Sequence, residues 1–243
     1  HQELFGHPGE DFPVIISLVG PEDDLSIQVH PDDEHAQKIG YKRGKNEAWF
    51  FIESDPGASI VYGQKTKNKE ELQEMIKQDK WDDIYKKYPV ADGNFVYLPA
   101  GCLHAMGKGN VVYEIQQSTD VTYRFYDYHR KDKDGNEREL HLKQAIDCLS
   151  FDKDIDKNDV HPVVKVHENV KETIFISNDS FTVSQLLVIG KCQYKCDNYQ
   201  LATVVKGSGK VDEYDVKVGD NFLIPTNTSI ELDGQMMIMM TTK

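Results

Sequence analysis

The 243-residue sequence contains no apolar run near the roughly 20 residues needed to cross a bilayer, so no membrane span is expected. Basic residues are also in deficit. Against 41 Asp and Glu there are 28 Lys and Arg, a formal net charge of −13. That balance excludes nucleic acid as a partner, because binding a polyanion requires clustered cations. A phosphorylated small molecule stays compatible, since a few local cations suffice. Cysteine is scarce: Cys102, Cys148, Cys192 and Cys196 are scattered, and the single Cys-x3-Cys pair is too isolated to read as a zinc clip. These read as reduced thiols of a cytoplasmic protein, with Cys102 a small apolar residue rather than a nucleophile. No charged-apolar-small leader opens the sequence, so no secretion signal is expected. Hydrophobic residues at 39% and aromatics at 10% fit a globular protein with a substantial core, in one large domain or two small ones.

What the sequence does contain is a distributed set of polar residues inside strand-like segments. Gln28 and His30 lie in Ser-Ile-Gln-Val-His-Pro, Glu47 in Gly-Lys-Asn-Glu-Ala-Trp-Phe-Phe, and His104 in Leu-Pro-Ala-Gly-Cys-Leu-His-Ala. Successive side chains of a strand point to opposite faces, so Ser26, Gln28 and His30 share one face, and Ile27 and Val29 take the other. By the same alternation Glu47, Trp49 and Phe51 face one way, and Ala48, Phe50 and Ile52 the other. His104 follows Pro99-Ala100-Gly101, a turn signal at the end of the run Phe95 to Leu98. Two imidazoles, a carboxylate and an amide oxygen converging in a β-barrel make a ligand set for a divalent transition metal. A lone histidine near a turn is more often a surface or hydrogen-bonded core residue, and the pairing with an inward glutamate is what favours a ligand.

The organisation is mostly β. Strands are expected at Val14 to Leu18, Leu25 to His30, Ala48 to Ile52, Ser59 to Tyr62, Phe95 to Leu98, Val111 to Gln116 and Thr122 to Tyr126. A helical insertion over 68–88 interrupts them. Asn68 and Glu71 form a helix-start box, and Leu72, Met75, Ile76, then Ile84, Tyr85 and Tyr88, keep a 3.6-residue period over two short helices ending at Pro89. A further helix is expected at Leu142 to Leu149. The polar stretch Asp152 to Asp159 reads as a linker before a second strand-rich block, 160–243.

That block echoes the first. Gly93-Asn-Phe-Val-Tyr-Leu-Pro99 and Gly219-Asp-Asn-Phe-Leu-Ile-Pro225 share a glycine, an apolar strand and a proline. The recurrence predicts two cupin-type (double-stranded β-helix) barrels, 1–150 with the helical insertion and 160–243. Five residues after Pro99 stands His104, whereas five after Pro225 stands Ile230, so the second barrel is expected to be metal-free and structural.

Four ordered segments carry a closer likeness. Leu-Ser-Ile-Gln-Val-His-Pro-Asp-Asp, Gly-Lys-Asn-Glu-Ala-Trp, Leu-Pro-Ala-Gly-Cys-Leu-His-Ala and Tyr-Glu-Ile-Gln-Gln-Ser-Thr-Asp-Val-Thr-Tyr-Arg-Phe-Tyr-Asp-Tyr resemble the type I mannose-6-phosphate isomerases in their short bacterial form. The likeness is specific from Phe12 to Arg130 and looser beyond. It implies a cupin fold, one zinc per chain held by Gln28, His30, Glu47 and His104, and an essential arginine at Arg124. It also implies that Lys45 and Glu114 line the sugar site, with Ser26 a candidate for the phosphate. Members of that family carry several tens of residues ahead of the point where this sequence begins, including a Trp-Gly-Gly segment, so a truncated or shortened form is expected. Where many relatives have lysine, eleven residues before the Gln of the Gln-x-His motif, this sequence has Ser17.

The expected reaction interconverts mannose 6-phosphate and fructose 6-phosphate through an enediol. A Lewis-acidic ion would polarise the carbonyl, and Arg124, on a face with Thr122 and Tyr126, would stabilise the enediolate or hold substrate hydroxyls. Its alternative role is a structural salt bridge. Glu114, Lys45, Asp120 and metal-bound water are all open as the proton carrier. Two other readings stand beside this one. One is a non-haem iron oxygenase, because two histidines and a carboxylate also suit iron. The other is a metal- and sugar-phosphate-binding cupin without efficient turnover. A monomer or weak homo-oligomer is expected.

Overall fold

The structure, a computed structural model, describes residues 2–5, 12–152 and 155–243. The chain divides into two compact units, residues 15–159 and residues 1–14 with 160–243. In chain order the elements begin with α1 (Gln2–Phe5), β1 (Val14–Val19), β2 (Ile27–Val29), α2 (Asp33–Lys38), β3 (Glu47–Ser54) and β4 (Ser59–Gln64). They continue with α3 (Lys69–Lys77), α4 (Trp81–Ile84), β5 (Tyr85–Pro89), β6 (Phe95–Leu98), β7 (His104–Ala105), β8 (Asn110–Gln117), β9 (Tyr123–Tyr126) and α5 (Leu142–Cys148).

The unit of residues 15–159 holds a four-stranded sheet, β1-β8-β3-β6, and a five-stranded sheet, β5-β4-β7-β2-β9. Trp49, Phe51, Val96, Leu98 and Val112 of the first sheet meet Ile60 and Tyr62 of the second in one core. The opposite face of the five-stranded sheet carries Ile27, Val29, Val61, Leu103, Ala105 and Phe125, and is covered by Leu72 of α3, Trp81 and Ile84 of α4, and Ala145 and Ile146 of α5. Each fully buried Val, Leu, Ile or Phe side chain among them stabilises by about 1.5–3 kcal/mol relative to exposure. The alternation in β2 is thereby explained: odd positions serve the helices, leaving Gln28 and His30 for the space between the sheets.

The helices start where their caps are. Asp32 accepts the His35 N–H (2.8 Å) ahead of α2, and Asn68 accepts the Glu71 N–H (2.9 Å) ahead of α3. The second helix of the insertion departs from expectation. It is a single uncapped turn, and Tyr85 and Tyr88 belong to strand β5, paired with Gln64 and Ile60 of β4. Apolar residues at 84, 85 and 88 fit a helical face, but pairing with the edge of β4 satisfies more backbone groups than an uncapped helix would. Residues 153–154 of the expected linker lie outside the described residues. Past them, the side chain of Asn158 accepts from Tyr97 N (3.0 Å) and donates to Phe95 O (2.9 Å), bonding along strand β6, and Asp156 pairs with Lys86 (2.7 Å).

The other unit is built from β10 (Val163–His167), β11 (Val170–Ser177), β12 (Thr182–Ile189), β13 (Cys192–Cys196), β14 (Gln200–Val211), β15 (Tyr214–Lys217), β16 (Asn221–Ile224) and β17 (Thr228–Thr242). They form one eight-stranded sheet in which β17 pairs with β12, β13 and β14, and β16 with β14. Gly207 lies at φ +74° where β14 crosses β17; a Cβ there would stand 2.0 Å from Gln235 O, so only glycine permits the approach. Val188, Val204, Ile230, Leu232, Met236, Ile238 and Met240 fill the interior. Helix α1 joins this unit through Phe5, edge-on to Tyr199 at 5.0 Å. No described helix is long and apolar enough to cross a membrane.

Candidate metal centre

Three of the four expected ligands come together. Cross-strand pairing sets Gln28 opposite His104 on one side and Arg124 on the other, and Tyr62 opposite His104, so these four side chains form a row on one sheet. Glu47 opens β3 of the other sheet. His30 Nε2 is 3.3 Å from Glu47 Oε1, and His104 Nε2 is 3.4 Å from Glu47 Oε2. All three residues are buried, and their ligand atoms lie within 4.8 Å of one another. Two atoms each ~2.1 Å from a shared tetrahedral ion stand about 3.4 Å apart, which the two imidazole-carboxylate spacings match.

The histidines are held in the tautomer a metal needs. His30 Nδ1–H donates to Val121 O (3.1 Å) and His104 Nδ1–H to Cys102 O (3.0 Å), leaving both Nε2 lone pairs aimed at the carboxylate. Burial pushes His30 down to about 4, against the pull of Glu47, so it is neutral at pH 7. Burial would raise Glu47, but His30, His104 and the Lys45 ammonium, 2.8 Å from Oε1, hold it well below the ordinary range. The donors thus fit a divalent cation: two imidazole Nε2 atoms turned toward an ionised carboxylate.

The other expected residues are placed as follows. Gln28 shares the row but does not hydrogen-bond to the three, and neither does Ser26, half-buried just before β2. Glu114 lies opposite Trp49 in the ladder and accepts its Nε1–H (2.8 Å). Burial and the nearby negative charge of Glu47 push Glu114 up to about 7. Asp120 is exposed. Arg124 makes no carboxylate ion pair among the described residues: Nη1 donates to Glu139 O (2.8 Å), and Nε is buried without a partner. The expected face of Thr122, Arg124 and Tyr126 is not kept. The register slips between Ile27 and Gln28, and Phe125 and Tyr126 both pack on Trp81, Tyr126 stacked at 4.4 Å. The four cysteines are free thiols, and burial raises Cys102, which fits a packing role.

Sequence reasoning passed over two features. One is Asp127, a buried carboxylate bonded by Arg138 through Nε (2.6 Å) and Nη2 (2.7 Å) and by Arg130 through Nε (3.0 Å). The other is the pair Asn46 and Gln117, whose amides connect the segment of Glu47 to the loop leading into His104. Both lie inside the quoted motifs, yet nothing in the local pattern separates them from ordinary polar residues.

Comparison with known proteins gives a consistent answer. Residues 171–243 match the family description "Mannose-6-phosphate isomerase, cupin domain". The chain is 37% identical to the mannose-6-phosphate isomerase of Streptococcus mutans over 246 aligned residues, covering 98% of this chain and 77% of that protein. It is 37% identical to a mannose-6-phosphate isomerase of Bacillus subtilis, covering 93% and 73%. A crystal structure of the mannose 6-phosphate isomerase from Bacillus subtilis superposes with a TM-score of 0.93 at 31% identity, covering 100% of this chain and 79% of that one.

Proposed function

Because the chain belongs to the mannose-6-phosphate isomerase family, we propose that it interconverts mannose 6-phosphate and fructose 6-phosphate with one zinc ion held by Gln28, His30, Glu47 and His104. The observation that carries the zinc reading is the pair of buried imidazoles. Each commits Nδ1–H to a backbone carbonyl and turns Nε2 toward one carboxylate. A bound zinc ion supplies Lewis-acid polarisation of a substrate oxygen without redox chemistry.

The protein's own groups account for the rest. Isomerisation moves one proton between adjacent carbons and another between their oxygens, through an enediol, with no net gain or loss of atoms. Glu114, at about 7, can take up a proton and return it near neutral pH, and the Trp49 indole fixes one of its oxygens. Arg124 keeps a buried, unpartnered Nε–H on the face that carries Gln28 and His104, suited to a developing oxyanion or a substrate hydroxyl. Lys45 balances the Glu47 charge and lines the sugar site, and Ser26 contributes to the phosphate end.

The test combines elemental analysis with a coupled assay for fructose 6-phosphate. Stoichiometric zinc and turnover are expected, with Glu114→Gln retaining zinc and losing at least ~10²-fold in kcat. Iron with oxygen consumption would favour the oxygenase reading. Zinc and sugar-phosphate binding without turnover would favour a binding protein.

A further inference from the structure

Glu47 belongs to one sheet, and His30 and His104 to the other side of the core, so no strand ladder sets the distance between them. Metal ligation tolerates errors of only about 0.2 Å. What joins the sheets at this point is a small polar network. Asn46, next to Glu47, donates its backbone N–H and its Nδ2–H to Gln117 Oε1, both at 2.9 Å, and its carbonyl accepts Gln117 N–H (3.0 Å). Asn46 Oδ1 accepts Ala100 N–H (2.8 Å), which anchors the loop leading into His104. In the same loop Gly101 N–H donates to His30 O (2.8 Å). Gln117 Nε2 reaches Asp33 Oδ1 (3.4 Å), and that oxygen also accepts Gly44 N–H (2.7 Å), while Lys45 N–H donates to Pro31 O (3.0 Å).

Every ligand-bearing segment is therefore within one or two hydrogen bonds of the Asn46–Gln117 pair, although neither side chain bonds to the imidazoles or to Glu47. We propose that Asn46 and Gln117 are positioning residues that set the spacing of the carboxylate from the two histidines. This inference rests on the metal reading above. Its premise is that the shared acceptor oxygen of Gln117 and the Ala100-to-Asn46 bond act as a unit, so loss of either loosens all three ligands together.

The experiment measures zinc affinity by chelator competition, and the melting temperature of the metal-free protein, for the parent chain, Asn46→Ala, Gln117→Ala, the double variant and Asn46→Asp. Single alanine variants should bind zinc about 10- to 100-fold more weakly. The double variant should be no weaker than the worse single one. Asn46→Asp, which keeps the acceptor for Ala100, should recover part of the loss. The Co²⁺-substituted protein adds an absorption spectrum that reports ligand geometry, and it should change in the alanine variants while the metal-free melting temperature stays close to that of the parent. If the parent takes up no zinc, the metal reading falls and this inference with it. If the parent binds zinc and the variants bind it equally well, the positioning role alone is overturned. Should Asn46→Ala fail to fold, equal affinity in Asn46→Asp and Gln117→Ala relative to the parent overturns it as well.

Discussion

The two strand-rich units place different side chains at one shared position. In residues 15–159, Gly93 at φ +79° turns into β6 and Pro99, and five residues later comes His104. In the other unit Gly219 at φ +93° turns into β16 and Pro225, and five residues later comes Ile230. Both side chains are buried, at 2% and 5% exposure. His104 faces a carboxylate and a second imidazole, whereas Ile230 joins Ile224, Leu232 and Met236 in an apolar cluster. A similar turn, strand and proline thus precede a group of possible metal donors in one unit and an apolar cluster in the other. The backbone differs as well: His104 lies in the two-residue strand β7 between β2 and β4, and Ile230 lies near the start of the fifteen-residue β17, opposite Tyr194 of β13.

The sharpest way to break the comparison is to exchange those residues. His104→Ile should lower zinc affinity by ~10²-fold or more, read by chelator competition, because one of three converging donors is gone. The reciprocal Ile230→His should create no zinc uptake and should cost about 1–3 kcal/mol, read by denaturant titration, since it buries a polar ring without a partner. Zinc gained by Ile230→His would show that the second interior holds donors of its own.

Next in size is Asp127, the buried carboxylate directly after β9. Burial raises Asp127, but the hydrogen bonds from Arg138 and Arg130 outweigh it and keep the group below its ordinary 3.8. Its stabilisation is therefore complete above about that pH and is lost as pH falls through the lower folded value. Asp127→Asn should cost about 1–3 kcal/mol at neutral pH, discounted for the half-exposed arginines. The parent's stability should fall more steeply than the variant's below about pH 4, and parallel curves would show that the Arg138 and Arg130 bonds do not stabilise the ionised Asp127.

Gly44→Ala tests the joint between the sheets with a single methyl group. A Cβ at Gly44 would stand 2.4–2.6 Å from the Pro31–Asp33 backbone, which cannot yield as a flexible side chain would. A loss of about 1–3 kcal/mol with weaker zinc binding is expected. The smallest effect belongs to the second interior: Phe222→Leu should change stability by less than ~1.5 kcal/mol and leave zinc stoichiometry unaltered. A change in stoichiometry there would tie that unit to the ion.

The face that carries Gln28 and His30 was legible in the sequence because a strand's period of two separates them from Ile27 and Val29 without knowledge of partners. The same rule failed at Tyr126, where the register slip at Ile27 and Gln28 sends two successive residues to one side. It failed in another way at Tyr85 and Tyr88, whose spacing suits a helix but whose backbone is claimed by β4. The Asn46–Gln117 pair was invisible because its members are distant in sequence and each is, locally, an unremarkable amide at a strand end.

The ladder through β2 also has a consequence in time. Residue 28 finds its neighbours only at residues 104 and 124, so β2 is made long before either flank exists. At roughly 5–20 residues per second of synthesis, that strand waits several seconds on the ribosome with both edges unpaired. Closing so long a loop costs entropy before any contact rewards it, which places this pairing late in folding.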